Sequence, residues 1–119
     1  MQNPTCINEL TKQILAHRDA RDWKQFQTPR DGAMAINVEA GELLEWFLWR
    51  KGEDLDKYIE SNKEKIGEEL ADVLYCTLLT AADLDIDLAD YFHNKMKKNA
   101  EKYPADQAKG RPDKYTSYQ

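Results

Sequence analysis

The chain has 119 residues and a formal net charge of −5; one third of its residues are charged and only five are glycine. This length suits one domain with one hydrophobic core, and the composition favours a helical protein over a β-rich one. A chain with net negative charge and no basic face is a poor binder of nucleic-acid polymers, which require several phosphate contacts.

We therefore expect a single domain over residues 1–119 that lacks a nucleic-acid polymer as a partner. The first residues lack the basic and apolar regions of a signal peptide, and the most apolar stretch is far shorter than a transmembrane helix. Two cysteines, Cys6 and Cys76, allow one disulfide, but we favour buried, reduced thiols. These features predict a cytoplasmic protein with no membrane partner.

The first predicted helix ends near Ala20 and is followed by an aromatic loop. Its core face carries apolar residues at helical spacing, namely Ile7, Leu10 and Ile14. In the loop, Trp23 and Phe26 either attach the chain to the core or belong to a binding site. The residues alone leave both interpretations open.

The second predicted helix spans about Pro29 to Arg50. Thr28 before Pro29, with Asp31 three residues after Thr28, is typical of an N-cap with a capping-box acid. Gly52 is a plausible C′ residue at the other end.

This second helix carries a pair of acids and a tryptophan. Glu39 and Glu42 lie one turn apart on nearly the same face. Trp49 is seven residues after Glu42, so a continuous helix places it about 20° from that face. A nucleotide held by metal at the acids could then lay its base on Trp49.

A polar segment, Leu55 to Lys65, forms either a short helix of its own or the first turns of the third helix. The third helix places Glu69 and Asp72 one turn apart, beside an apolar stripe where an unpaired carboxylate is costly. The predicted stripe consists of Ile66, Leu70, Val73, Leu74, Thr77, Leu78 and Ala81.

Asp87 and Asp90 predict the N-terminal cap of a fourth helix, which Pro104 ends. Lys95 lies toward its basic end, and taken alone such an end only complements the helix dipole. Residues 105–119 are predicted to be a polar, mobile C-terminal tail that is rich in positive charge.

Four acids of the second and third helices form the candidate site, namely Glu39, Glu42, Glu69 and Asp72. If the two helices pack antiparallel, both acid pairs converge, and an all-oxygen ligand set favours Mg²⁺ or Mn²⁺. The alternative is four surface acids, with Lys65 available for a salt bridge to Glu69.

A di-iron carboxylate bundle is the chemical rival of a magnesium site. It requires two Glu-x-x-His motifs. The chain offers only the comparable segment Asp90-Tyr91-Phe92-His93, once. The sequence therefore favours magnesium over iron.

At these residues the chain resembles the MazG-like all-α nucleoside triphosphate pyrophosphohydrolases, whose mark is E-x-x-E followed, after a helix-loop-helix interval, by E-x-x-D. The similarity is greatest to the dCTP pyrophosphatase branch and extends over nearly the whole chain. The matching segments are residues 21–26, 29–30, 39–43, 47–49, 68–74, 95–96, 99, 103–104 and 114–116.

The resemblance implies an all-α, four-helix-type bundle completed by homo-oligomerisation, as a homodimer or homotetramer. It implies that the four acids bind Mg²⁺, that Trp23 and Trp49 sandwich the base, and that residues of the fourth helix and tail contact the nucleotide. The implied substrate-binding residues are Trp23, Gln27, Arg30, Trp49, Lys95, Asn99, Tyr103 and Lys114.

The chain departs from the family pattern at two positions. The dCTP-type branch has a histidine where this chain has Gln27, which offers an acceptor and two donors but no charge, so the base preference is open. Many bacterial members have an extra acid, a candidate water activator, where this chain has Val38. The general base is therefore open, with Glu42 and Glu45 as candidates.

We therefore predict Mg²⁺-dependent hydrolysis of a nucleoside triphosphate, dCTP or a modified dNTP, to the monophosphate and pyrophosphate, in cleansing of the nucleotide pool. Metal at the acids presents the attacking water, while Lys95, Lys114 and Arg50 stabilise charge on the departing pyrophosphate. The predicted catalytic residues are Glu42, Glu45 and Lys95. The alternative is a non-catalytic nucleotide-binding or helical assembly module.

Overall fold

The computed structural model of the chain describes residues 6–118, in which every regular element is helical. The α-helices are α1 (Ile7–Asp19), α2 (Pro29–Glu45), α3 (Gly52–Ser61), α4 (Lys63–Asp83), α5 (Leu88–Lys102) and α6 (Ala105–Ala108), with 3₁₀ turns at Lys24–Phe26 and Tyr115–Ser117. The all-α prediction is confirmed. The chain divides into two compact units, with the boundary between Ile86 and Asp87.

Helix α4 is the centre of the first unit, because α1, α2 and α3 all pack against it. Its buried residues include Leu78 and Leu79, which are 1% and 3% exposed. The predicted core stripe is thus correct at Ile66, Leu78 and Ala81, which are buried, but wrong at Leu70 and Leu74, which are exposed. Helix α4 carries more apolar surface than the helices of this unit cover.

The end of α1 is joined to the end of α4 by a buried ion pair. Arg18 is 4% exposed, and its Nη1 donates to Asp83 Oδ1 at 2.8 Å. The Nε of Arg18 donates to Asp19 Oδ1 at 3.0 Å. A charge removed from water in this way requires partners of opposite sign, and Arg18 has two.

Helix α2 begins with the predicted capping box. The backbone N–H of Thr28 donates to Asp31 Oδ2 at 3.0 Å, and the backbone N–H of Asp31 donates to Thr28 Oγ1 at 3.3 Å. In the first turn, Gly32 lies directly against Thr80 of α4, whose Cβ would be 3.2 Å from a Cβ added at Gly32. The absent side chain allows α2 and α4 to approach closely.

Helix α2 ends at Glu45, and the prediction that it continues to Arg50 is wrong. The backbone N–H groups of Trp46 and Phe47 donate to carbonyls three residues earlier, which tightens the final turn and stops the helix. Trp49 then has a φ of 70°, so it does not extend the face of Glu42. Gly52, with a φ of 56°, begins α3 instead of capping α2.

The polar segment before the third predicted helix contains a separate helix. Helix α3 ends at Ser61, and α4 begins at Lys63. Between them Asn62 leaves helical geometry, with a φ of −120° and a ψ of 16°. The segment was predicted to be either a short separate helix or the first turns of the next one. Both predictions are partly correct, since most of the segment lies in α3 and its last residues form the first turn of α4.

The second unit begins with the predicted cap, since the backbone N–H of Asp90 donates to Asp87 Oδ1 at 3.1 Å. Helix α5 ends just before Tyr103, as the proline after it predicts. The ring of Tyr103 lies edge-on to those of Tyr115 and Tyr118, at 5.7 and 5.8 Å between centroids. The tail contains short helical turns, and its residues Tyr115 and Tyr118 form an aromatic cluster with Tyr103.

None of the helices in residues 6–118 combines the length and apolar character needed to cross a membrane.

Candidate active site

The packing of α2 against α4 brings the four predicted acids together. Three of them, Glu39, Glu69 and Asp72, each offer one potential ligand atom, and these three atoms lie within 4.8 Å of one another. Glu42 completes this acid cluster, since it lines the same pocket as Glu69. The four side chains therefore converge from two helices, as the antiparallel arrangement predicts.

Two acids of the cluster, Glu42 and Glu69, have raised pKa values. The pKa of Glu42 is raised above its usual value by its hydrogen bond with Glu39, by the charge of Glu39 and by burial. Burial also raises the pKa of Glu69, as do the charge and hydrogen bond of Glu42. The carboxylates oppose one another's charge, so a cation bound among them would be stabilising.

The cluster also contains acceptors that no group of the described chain satisfies. Glu39 Oε2 and Glu69 Oε2 are buried and accept no hydrogen bond from residues 6–118. Unpaired buried carboxylate oxygens fit the ligand preference of a hard divalent cation such as Mg²⁺ or Mn²⁺. The grouped metal-ligand atoms are all carboxylate oxygens, which does not match a di-iron site with histidine ligands.

Lys65 does not neutralise the cluster. Among the ion pairs of residues 6–118, none joins Lys65 to Glu69. The Lys65 Nζ lies instead 5.9 Å from the ring centroid of Trp46. The alternative of surface acids balanced by a salt bridge therefore loses its main support.

A pocket of about 430 Å³ lies beside the acids. Glu42, Glu45 and Glu69 line one part of it, and the rings of Trp46 and Tyr58 form an aromatic wall. These two aromatic residues were not among the predicted site residues. Trp46 had a signal in the sequence, because it is four residues after Glu42 and hence on a neighbouring part of the same helix face.

A row of ring contacts fixes this aromatic wall. The ring centroids of Trp46 and Tyr58 are 6.0 Å apart and the rings are tilted by 33°. The Arg50 guanidinium lies 3.8 Å from the centroid of Tyr58. Arg50 also reaches Asp54 at 3.5 Å, a distance typical of a weak surface ion pair.

The residues predicted to bind the base lie outside the five residues that line the pocket. Trp23 lies edge-on to His17 at 5.7 Å, so it contacts α1. Gln27 Oε1 is buried and accepts no hydrogen bond from the described chain. Trp49 is 96% exposed, and Arg30 is exposed in the first turn of α2. Their roles toward a base stay predictions.

The residues of the fourth predicted helix and the tail that were predicted to contact the nucleotide belong to the second unit. Lys95 and Lys114 are exposed, and Asn99 is half-buried. Tyr103 is held in the aromatic cluster of the tail. Their roles in nucleotide binding also stay predictions.

Both cysteines are free thiols. Cys6 is exposed, so the expectation that both thiols are buried is wrong at this position. Cys76 is half-buried on α4, and burial raises its pKa, as do the charges of Glu39 and Asp72. This thiol is therefore a neighbour of the acid cluster.

Three comparisons place this chain among known proteins. The sequence profile of the MazG-like family matches residues 34–117. Proteins named dCTP pyrophosphatase 1 from Mus musculus and Homo sapiens are 37% and 38% identical to it over 98 residues, which are 81% of this chain and 58% of theirs. The chain thus spans less than two thirds of the length of these relatives.

A crystal structure of a pyrophosphatase from Archaeoglobus fulgidus DSM 4304 superposes with a TM-score of 0.78 at 33% identity. The match covers 87% of this chain and 97% of the archaeal chain. The residues matched by the family profile, 34–117, include both acid motifs in full, since the motifs extend from Glu39 to Asp72. The chain belongs to the MazG-like family.

Proposed function

We propose that the protein hydrolyses a deoxynucleoside triphosphate, dCTP or a modified dNTP, to the monophosphate and pyrophosphate with the help of Mg²⁺ or Mn²⁺. The observation that carries this proposal is the convergence of four acids, two with unpaired buried oxygens, beside a pocket of about 430 Å³. The names of the relatives, dCTP pyrophosphatase 1 and pyrophosphatase, support the same reaction.

The four acids would hold the divalent cations through carboxylate oxygens. When bound, such cations offset the charge of a triphosphate and lower the pKa of a water molecule. Glu45 lines the same pocket as Glu42, so either carboxylate is placed to accept a proton from the attacking water. Val38, at the position of the additional family acid, is apolar and 59% exposed and cannot do so.

Positively charged side chains would bind the phosphates. We assign this role to Lys95 and Lys114, with Arg50 as a further donor beside the aromatic wall. We assign contacts with the nucleotide to Asn99 and Tyr103 as well. Lys95 is the catalytic member of this set, because charge that develops on the departing pyrophosphate is stabilised by a fixed cation.

The base would lie between Trp23 and Trp49, with Gln27 at its edge. The unpaired Oε1 of Gln27 supports this assignment, since a buried acceptor gains a hydrogen bond from an exocyclic amino group such as that of cytosine. Arg30, which is exposed in the first turn of α2, would contribute a donor. Stacking on aromatic rings sets affinity more than base identity.

The active form would be a homodimer or homotetramer in the cytoplasm. Several large apolar side chains of α2 and α4 are exposed, and exposed apolar surface favours association. These residues are Met34 (54% exposed), Val38 (59%), Leu44 (56%), Leu70 (53%) and Leu74 (45%).

Pyrophosphate release from a panel of dNTPs and modified dNTPs, with and without Mg²⁺, tests this proposal. We expect Mg²⁺-dependent release, greatest for dCTP or a modified pyrimidine. Mg²⁺-dependent nucleotide binding without release would favour the non-catalytic binding module. The absence of both would overturn the proposed site.

A further inference from the structure

The backbone of Trp23 is fixed by the end of α1. Its N–H donates to the carbonyl oxygen of Arg18 at 3.2 Å, and Arg18 is the buried cation that is paired with Asp83 of α4. The preceding residue, Asp22, turns the chain with a φ of 54°, and its Oδ2 accepts a hydrogen bond from Gln25 Nε2 at 2.7 Å. The orientation of the Trp23 side chain therefore depends on what its ring contacts.

Two side chains from the same end of α1 contact the Trp23 ring. The ring centroids of His17 and Trp23 are 5.7 Å apart, and the ring planes are inclined by 69°, an edge-on arrangement that aromatic pairs favour. The guanidinium carbon of Arg21 lies 5.7 Å from the centroid of Trp23, and Arg21 Nη1 donates to the His17 carbonyl oxygen at 3.0 Å. The Trp23 residue is still 43% exposed, so part of its ring surface is accessible to a planar ligand.

His17 also connects this ring to α4. Its ring centroid is 6.3 Å from that of Tyr75, a half-buried residue of α4, and the two planes are inclined by 86°. His17 and Tyr75 line the same cavity of about 420 Å³ between α1 and α4. The imidazole thus has a ring contact with the loop and another with the helix that carries Glu69 and Asp72.

We propose that His17 is a positioning residue for the base site, and that its imidazole holds the Trp23 ring in the orientation on which the base stacks. The inference rests on the proposed function, because it assumes that the base stacks on Trp23. The apparent affinity of a ligand falls with the fraction of molecules in the binding-competent conformation, so a ring that is free to rotate binds more weakly. Because His17 acts on Trp23 and not on the acids, it affects substrate binding and not the chemical step.

Steady-state pyrophosphate release from the best substrate of the dNTP panel tests this role. We expect His17→Ala to raise KM by about 2- to 12-fold, the equivalent of one aromatic pair, with kcat unchanged. His17→Phe keeps an aromatic ring at this position and should retain a KM close to that of wild type. The matched control is Gln13→Ala, which alters an exposed residue one turn earlier on α1 and should change neither constant. Wild-type KM in an active His17→Ala variant would overturn the inference.

A double-mutant cycle separates positioning of Trp23 from any other effect of His17. In the Trp23→Ala background the ring that His17 holds is absent, so His17→Ala should cause no further rise in KM. A further rise as large as in wild type would show that His17 acts independently of Trp23, which would also overturn the inference. If wild type released no pyrophosphate, the proposed function would fail and this inference with it.

Discussion

Glu39 on α2 and Glu69 on α4 each direct a buried, unpaired Oε2 into one cluster of acids. Two helices are thus packed together at a place where their side chains repel. The repulsion is a cost to the cation-free fold that a bound cation would remove. Stability, metal binding and catalysis should therefore change together when the cluster is altered.

The first prediction concerns pH. The pKa values of Glu42 and Glu69 are raised above the usual 4.5, so above about pH 4.5 the folded chain binds more protons than the unfolded chain. Their contribution to the free energy of unfolding should fall as pH rises through this window. In EDTA, the midpoint of thermal unfolding should therefore decline more steeply with rising pH in wild type than in Glu42→Gln.

Mg²⁺ should reverse this decline in wild type. A ligand at 100 times its Kd stabilises the fold by about 2.7 kcal/mol, and the effect should be small at acidic pH, where protons compete for the carboxylates. Equal pH dependence of wild type and Glu42→Gln, both unaffected by Mg²⁺, would contradict the assignment.

The second prediction concerns turnover. Glu42→Gln should abolish Mg²⁺-dependent pyrophosphate release, because it removes a ligand and a candidate base from the pocket that Glu42 lines. Glu53→Gln, which changes an exposed acid in the first turn of α3, is the matched control and should retain kcat. An unchanged kcat in Glu42→Gln would remove these acids from the mechanism.

The third prediction concerns the base. Trp23→Ala and Trp49→Ala should each raise KM by roughly 5- to 150-fold, the equivalent of about 1–3 kcal/mol per stacked base. Substitution of either residue by Phe should retain most of the affinity, because the stacking surface remains. Steady-state kinetics with the best substrate of the panel measures both. An unchanged KM in Trp49→Ala would exclude that residue from the base site.

The fourth prediction concerns the contact between α2 and α4. Gly32→Ala places a methyl group against Thr80 and should destabilise the fold by about 1–3 kcal/mol. Gly67→Ala is the matched control in α4, since nothing lies within 4 Å of an added Cβ there. It should stabilise by about 0.4–1 kcal/mol. Chemical denaturation gives both free energies of unfolding. A Gly32→Ala variant as stable as wild type would argue against the close contact between α2 and α4.

The fifth prediction concerns the buried ion pair. Arg18→Met leaves Asp83 without the guanidinium that lies 2.8 Å away, and should cost about 3–5 kcal/mol of stability. Lys63→Met removes a cation whose contact with Glu60 is exposed and 3.9 Å long, and should cost less than about 1 kcal/mol. Similar midpoints of denaturation for the two variants would mean that burial at Arg18 has little effect.

Local chemistry made much of the fold predictable. Thr28, Pro29 and Asp31 encode a helix start in four residues, and Asp87 with Asp90 encodes another. Both signals depend only on neighbours in sequence. The spacing of each acid pair predicts that both its members share one helix face, and convergence of the two pairs required in addition that the helices pack antiparallel.

The end of α2 was harder to predict. Residues 46–49 are apolar and contain neither glycine nor proline, so the pattern favours a longer helix. The chain nevertheless turns, and Trp49 adopts a φ of 70°, a conformation that residues other than glycine rarely take. A longer helix would place Trp49 near the face of Glu42, whereas the observed helix end leaves Trp46 in the wall of the pocket.

The two thiols differ in a way that has a practical use. Cys6 is exposed at the start of α1, whereas Cys76 is half-buried and its pKa is raised by burial and nearby negative charge. Alkylating reagents attack the thiolate, so a maleimide dye at neutral pH should label Cys6 first. A fluorophore can thus be attached at one defined point of the unaltered chain for single-molecule work.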